Sequence, residues 1–458
     1  MKKDTIIAIS TPPGIGAVAI IRLSGGEALQ LVQAQFNPHK KNKDLSKVAS
    51  HTLHLGEIYE GSRTIDEVLV TVFKNPNSYT GEDVVEINCH GSVYIQKEII
   101  QLFIKKGVRH ADPGEFTLRA FLNGKIELTQ AEAVADLIAS NSSASHQVAM
   151  QQMRRGFSND LKNLRQELLN FSSLIELELD FSQEDVAFAD RSALKELVSN
   201  ISKKLKKLID SFAIGNAFKN GIPVVIIGKP NAGKSTLLNL LFNEEKAIVS
   251  DVKGTTRDAI EDELIVKGIS YRFIDTAGIR DTNDKVERIG IEKTFKHIEN
   301  SQLVLHLLDA SDNANIKSEI DNLKKKYPSK KIIPILNKSD LVSQDTLDIL
   351  LSENQELVIL SAIKKHGLEL LLEAISNLYD RGALLNNDII ISNSRHFEAL
   401  SLAFTAINEV KKGIALEISS DLLAIDIRET LMYLGEITGE VTNDELLGNI
   451  FSNFCIGK

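Results

Sequence analysis

The 458-residue sequence predicts a multidomain chain of α/β plus α class. It divides into an N-terminal α+β domain, a discontinuous helical domain, and an inserted P-loop domain with a mostly parallel sheet. Three observations predict this. A complete phosphate-loop motif sits between a strand-like and a helix-like apolar run. The region after it alternates strand and helix signals. Amphipathic helix patterns lie on both sides of that region, and each needs a partner to cover its apolar stripe. The divisions fall at 1–120, 121–217, 218–380 and 381–458.

In the first division, Asp4 to Ser10, Val18 to Leu23, Ile65 to Phe73 and Asp83 to Cys89 read as strands. Glu27 to Phe36 and Ser92 to Lys106 read as helices. From about residue 125 the period changes. Gln130 to Ala139, Ser142 to Arg155, Phe157 to Asp180 and Leu194 to Phe212 carry apolar residues every three or four positions. Ser394 to Ser419, Asp421 to Glu436 and Asn443 to Asn453 resume that pattern after the P-loop region. These C-terminal helices either pack on the earlier helices, making one discontinuous domain, or form a separate bundle.

The phosphate loop reads Gly228-Lys229-Pro230-Asn231-Ala232-Gly233-Lys234-Ser235 and fits G-x-x-x-x-G-K-[ST] at every fixed position. It follows the apolar run Ile222 to Ile227 and opens the run Thr236 to Phe242. Glycines here let backbone N–H groups converge on an anion. Lys234 reaches the terminal phosphates, and Ser235 holds magnesium. Asp275-Thr276-Ala277-Gly278 ends the run Tyr271 to Ile274. Its aspartate suits water-bridged magnesium, and its glycine N–H suits a γ-phosphate. Asn337-Lys338-Ser339-Asp340 follows Ile332 to Leu336. A carboxylate at Asp340 accepts from both guanine N1–H and the exocyclic amine, a pair that adenine lacks, so the site prefers GTP. Ser361, Ala362 and Ile363, after Leu357 to Leu360, complete the base pocket. Either short motif alone occurs by accident; this order, each at a strand end, specifies a Ras-like guanine-nucleotide domain.

Between these motifs lies a switch segment, Gly254-Thr255-Thr256-Arg257-Asp258. Thr256 is the second magnesium ligand and closes over a γ-phosphate. Ser250, Asp251, Val252 and Lys253, just before it, join the candidate GTP-binding residues. Ras-like proteins place a water-orienting Gln directly after the DxxG glycine. Here that residue is Ile279, which cannot orient water. Two groups stand available instead: the Asn231 side-chain carbonyl, which suits a monovalent cation beside the phosphates, and Glu287, a carboxylate able to position water.

The rest of the composition bounds the partners. A net charge of −9 argues against general coating of nucleic acid. Lysine runs at Lys40 to Lys47, Lys105 to His110, Lys203 to Lys207 and Lys324 to Lys331 are local exceptions. Two cysteines, Cys89 and Cys455, fit a reducing cytoplasm rather than a disulfide framework. No apolar stretch approaches the roughly 18 residues of a membrane span, and no signal peptide opens the chain.

Asn231, Gly254 to Asp258, Asp275 to Gly278 followed by Ile279, and the closing Cys455-Ile456-Gly457-Lys458 together resemble one family, the tRNA-modification GTPases MnmE, also called TrmE. The resemblance runs from end to end. Thr11 to Gly14, Ile21 to Gly25, Asn77 to Asp83, Pro113 to Phe116 and Arg119 to Lys125 look like further family signatures. It implies a folate-binding-like N-terminal domain that holds a homodimer, and potassium-dependent hydrolysis. Asn231, with the backbone of Ser250, Val252 and Thr255, would ligate potassium, and Glu287 would orient water; Lys234, Thr256 and Glu287 become the catalytic residues. It also implies a reduced folate, 5-formyl- or methylene-tetrahydrofolate, contacted by Arg22, Glu86, Lys125 and Lys458. Cys455 is either near the transferred carbon or a small buried apolar side chain. An MnmG-type FAD- and NADH-using partner is implied, in a heterotetramer or larger assembly. With it the chain would modify C5 of the wobble uridine (position 34) of certain tRNAs to the aminomethyl or carboxymethylaminomethyl form. The tRNA would be held largely by the partner. The alternative is a ribosome-assembly or RNA-binding switch GTPase. The single phosphate loop and the CIGK ending disfavour it.

Overall fold

The computed structural model describes residues 4–40, 44–154, 156–180, 191–243, 262–274, 296–312, 315–378, 390–452 and 454–457. By internal contacts the chain forms two compact units. The first is Met1–Ala135, Met153–Ser173 and Arg428–Lys458; the second is Asp136–Gln152 and Leu174–Ile427.

In the first unit, strands β1 (Ile6–Ile9), β2 (Val18–Ser24), β3 (Phe36–Pro38), β4 (Thr52–Glu60), β5 (Arg63–Phe73), β6 (Val84–His90) and β7 (Arg109–His110) form one sheet. Its order is β3-β4-β5-β6-β2-β1-β7, antiparallel apart from the β1/β7 pair. The helices Ala28–Gln33 and Val93–Lys105 cover one face, where Leu29, Val32, Leu102 and Phe103 join Ile21, Leu23, Val70 and Ile87 in a fully buried core. Full burial of each such side chain is worth roughly 1.5–3 kcal/mol. The first helix is shorter than Glu27 to Phe36, because Phe36 turns into β3 and buries its ring there.

The chain end belongs to the same unit. Leu447, Phe451 and Phe454, on and just beyond the helix Asp444–Ser452, pack with Leu128 and Ala131 of the helix Leu128–Ala139. Gly114 opens the helix Glu115–Leu122 with φ +67°, and a Cβ there would stand 2.8 Å from the Phe451 carbonyl oxygen. A partly buried ion network ties this helix to the segment ahead of β1: Arg119, 4% exposed, pairs with Asp4, Glu82 and Glu115, and Arg109 pairs with Asp4 and Glu115. Arg119 and Glu115, the two buried members, are each paired, which is what makes their burial tolerable.

In the second unit, β8 (Ile222–Gly228), β9 (Asp262–Val266), β10 (Ile269–Phe273), β11 (Leu303–Asp309), β12 (Lys331–Asn337) and β13 (Val358–Ile359) form a sheet of order β13-β12-β11-β8-β10-β9. All neighbours are parallel except β9 and β10. Central strands of a parallel sheet are covered on both faces, and β11 is buried at six of its seven residues. Leu237, Leu238 and Leu241 seat the helix Lys234–Asn243 on one face, and Leu371 and Ile375 seat the helix Leu368–Asn377 in the same core. The helix Arg191–Asn220 leads directly into β8 and runs eight residues past Phe212. Its Gly215 lies where a Cβ would meet the Ile391 carbonyl at 2.2 Å, so the glycine permits close packing and does not end the helix. Phe212 stacks on Phe397 of the helix Ser394–Ala415, with centroids 4.3 Å apart. That helix therefore packs on the helix preceding the P-loop domain. Among the described residues no helix is long and apolar enough to cross a membrane.

Candidate functional site

The parallel sheet presents its motifs at strand ends. β8 stops at Gly228, where a Cβ would lie 2.4 Å from the Leu307 carbonyl oxygen of β11. The loop then turns through Asn231, which has φ +64°, a left-handed conformation that Asn tolerates better than most residues. Gly233 has φ +98° and begins the helix with Leu237 N–H donating to its carbonyl at 2.9 Å. Lys234 folds back over the loop, its Nζ donating to the carbonyls of Gly228 and Lys229 at 2.8 and 2.9 Å. Burial pushes its pKa down. The cost of a half-buried ammonium falls when an anion enters, which is the electrostatic basis of phosphate binding here.

Asn337 joins this loop to the base-recognition loops. It is 3% exposed. Its Nδ2 donates to the Ala232 carbonyl at 2.8 Å, and its Oδ1 accepts from Ala362 N–H at 3.0 Å. A Cβ on Gly233 would stand 2.4 Å from that Nδ2, so the motif's second glycine makes room for Asn337 as well as for phosphate. Asp340 Oδ1 accepts from Ser361 Oγ at 2.6 Å, and the carboxylate keeps acceptor capacity on both oxygens for a ligand. Ser339 N–H donates to the Leu360 carbonyl, and Ser361 and His366 exchange backbone hydrogen bonds. Ala362 is buried, whereas Ile363 is 71% exposed. Asn231 and Thr236 are exposed, and Ser235 is half-buried.

Lys338 sits at φ +62° with Nζ 2.6 Å from Asp309 Oδ2, at the end of β11. Burial raises the Asp309 pKa, but Lys338 and the hydroxyl and N–H of Ser311 outweigh it and hold the carboxyl below its usual range. Sequence reading missed Asp309; its signal is an aspartate ending an apolar strand next to the Asn337 strand. It also missed Lys229, whose ammonium pairs with Asp312 and Glu319 at 2.9 and 2.6 Å.

Ser250, Asp251, Val252, Lys253, Gly254, Thr255, Thr256, Asp275, Thr276, Ala277, Gly278, Glu287 and Lys458 lie outside the described residues. The structure thus brings together the phosphate loop, Asn337 to Asp340, and Ser361 to Ala362.

A second cluster lies in the first unit. Arg22 and Glu86 are cross-strand partners on β2 and β6, with Arg22 Nη2 2.7 Å from Glu86 Oε1. The guanidinium also lies 5.5 Å from the Tyr79 ring centre and 5.6 Å from that of Phe116. Its Nη1 donates to the Gly457 carbonyl at 3.3 Å, and Ser10 Oγ donates to the same oxygen at 3.1 Å. Gly457 has φ +95°, and a Cβ there would meet the Ile9 carbonyl at 2.0 Å. Glu86 is therefore a paired residue and not part of a solvated face. Lys125 Nζ donates to the Pro76 carbonyl at 2.8 Å. Cys455 is exposed, so it is not a buried apolar side chain; its backbone carbonyl is engaged by the Gly114 N–H.

The geometry at Asp340 yields an expectation. In Asp340→Asn the side chain offers one acceptor and one donor, which matches xanthine's N1–H and C2 carbonyl rather than guanine. Competition binding is expected to show GTP affinity down by about tenfold or more with XTP gaining, since each mismatched polar contact costs about 1–3 kcal/mol. Unchanged GTP preference would remove Asp340 from base recognition.

Two family models match the chain: the MnmE helical domain over residues 128–455 and the GTP-binding protein TrmE N-terminus over residues 5–125. Among curated relatives, the tRNA modification GTPase MnmE of Flavobacterium johnsoniae is 57% identical over 466 residues, covering 100% of both chains. That of Christiangramia forsetii is 56% identical, covering 99% of each, and that of Bacteroides thetaiotaomicron is 52% identical, covering 100% of each. With the nucleotide loops built as above and these matches spanning its whole length, the chain belongs to the MnmE family of tRNA modification GTPases.

Proposed function

We propose that this chain hydrolyses GTP with potassium assistance and, with an MnmG-type flavin- and NADH-dependent partner, modifies C5 of the wobble uridine of certain tRNAs, drawing a one-carbon unit from a reduced folate. The observation that carries the first part is the joined phosphate and base loops beside a departure, Ile279 in place of a water-orienting Gln. Asn231 stands exposed inside the phosphate loop, where its carbonyl can help to hold a monovalent cation. Backbone groups of Ser250, Val252 and Thr255 would complete its shell. The bound cation supplies positive charge beside the phosphates, the role an arginine finger has elsewhere. Ser235 and Thr256 would hold magnesium, Lys234 neutralises developing phosphate charge, and Glu287 orients the attacking water.

Arg22, Glu86, Lys125 and Lys458 form the proposed folate site. Supporting it, the C-terminal segment lies against the Arg22–Glu86 pair through Gly457. A carboxylate suits a pterin's amino face, and Arg or Lys suits the glutamate tail. Cys455, exposed three residues from the end, is a candidate for the one-carbon step. The N-terminal sheet supports a homodimer. Val18, Leu53, Leu55 and Leu69 are 60%, 55%, 46% and 37% exposed, on the same face as Arg22 and Glu86 and opposite the buried core. An apolar face of this kind suits a protein interface. The partner would carry most of the tRNA grip, in keeping with the net charge of −9. Free thiols at Cys89 and Cys455 fit a cytoplasmic location.

Hydrolysis in potassium and sodium buffers of equal ionic strength tests the first part. Potassium is expected to raise the rate by about tenfold or more, and Asn231→Ala to abolish the difference. Equal rates in both salts would refute the cation role. For the folate site, Glu86→Ala is expected to weaken binding of 5-formyl-tetrahydrofolate by about tenfold or more in equilibrium dialysis, with GTP affinity unchanged. Wild-type folate affinity in the variant would exclude Glu86 from the site.

A further inference from the structure

The β9–β10 hairpin stands between the two segments read as nucleotide switches, with Gly254 to Asp258 before it and Asp275 to Gly278 after it. Its turn, Lys267-Gly268, is left-handed at both residues, with φ +46° and +82°. β9 is the outer strand of the sheet, and β10 pairs with β8 over Tyr271–Phe273 alone. The hairpin's tip and outer strand are instead held by the helix Ser143–Met153 and the residues just ahead of it. Ala144 N–H donates to the Gly268 carbonyl at 2.9 Å, and Asn141 Nδ2 donates to Glu263 Oε2 at 2.6 Å. A Cβ on Gly268 would stand 3.0 Å from Ser143 Cβ. Leu264, Val266 and Ile269 of the hairpin share one buried cluster with Ala144 and Val148 of the helix.

The helix Ser143–Met153 is tied at both ends. Ser142 and Ser145 cap its start reciprocally, each backbone N–H donating to the other's Oγ at 3.1 Å. Near its far end Gln152, 6% exposed, donates to Ser392 Oγ at 2.7 Å, and Ser392 is 1% exposed. Ser392 stands just ahead of the helix Ser394–Ala415.

We infer that the hairpin and this helix form a relay: a nucleotide-dependent shift of β9–β10 passes through Gly268 and Glu263 to the helix Ser143–Met153, and from Gln152 to Ser392 at the start of the C-terminal helices. The relay rests on the switch reading of the segments flanking the hairpin. Packed elements with two discrete arrangements carry such shifts because dense cores do not deform continuously. A clamp with a structural role alone would hold the helix equally in both nucleotide states.

Hydrogen exchange of the full chain with GDP, then with a non-hydrolysable GTP analogue, tests this. Wild type is expected to change protection in both 262–273 and 143–153 by about fivefold or more. Ala144→Pro removes the donor N–H in the first helical turn, where no intrahelical hydrogen bond is lost. In it the hairpin is expected to respond while the helix does not. The exposed Asn141→Ala, which leaves the core intact, is expected to reduce the helix response. A wild-type helix that ignores a responding hairpin, or variants that respond like wild type, would overturn the relay. No response in the hairpin itself would overturn the switch reading and the relay with it.

Discussion

The nucleotide site depends on one buried amide. Asn337 donates to Ala232 in the phosphate loop and accepts from Ala362 in the base loop, while its own strand leads into Asp340. Phosphate recognition and base recognition are separated by more than a hundred residues of sequence, yet this side chain fixes their spacing. A buried amide left half-satisfied costs about 1–3 kcal/mol, so displacing either loop from Asn337 is penalised. Gly233 fits the same constraint, because a Cβ there would stand 2.4 Å from the amide nitrogen.

Charge completes what the amide positions. Lys234 is half-buried against loop carbonyls, with its pKa pushed down by burial, and an incoming phosphate relieves that penalty. Lys229 is tied down by Asp312 and Glu319, and Lys338 by Asp309, so the neighbouring ammonium groups are already neutralised. In the other unit the Arg22–Glu86 pair and the Gly457 carbonyl use the same device: strands place opposite charges, and a glycine lets the backbone approach.

The nucleotide domain was legible because each motif needs a strand in front of it, and apolar runs mark those strands. β4 was not legible. Its buried positions are His54, Gly56 and Ile58, while Leu53 and Leu55 face outward, so hydropathy alternates in the wrong phase. An outward apolar face on a sheet hides a strand from any reading that equates apolar with buried. The helix Arg191–Asn220 runs past Phe212 through Gly215, a residue that resembles a helix stop in sequence but here lets Ile391 approach closely. The ion network around Arg119 was invisible for a related reason. Only its Glu115–Arg119 pair, at i,i+4 spacing on one helix, has a local pattern; Asp4, Glu82 and Arg109 reach it from distant positions that nothing in the sequence links. At the site, Lys234 and Asp340 were legible from motif chemistry, whereas the pairing of Lys338 with Asp309 needed strand register.

The most direct measurement is nucleotide affinity in Asn337→Ala, with far-UV circular dichroism as the check on folding. If this amide holds the loops in register, GDP and GTP both lose affinity by about tenfold or more in a chain that keeps its secondary structure. Wild-type affinity for both nucleotides in the folded variant would contradict the account, and the loops would have to be held by something other than Asn337.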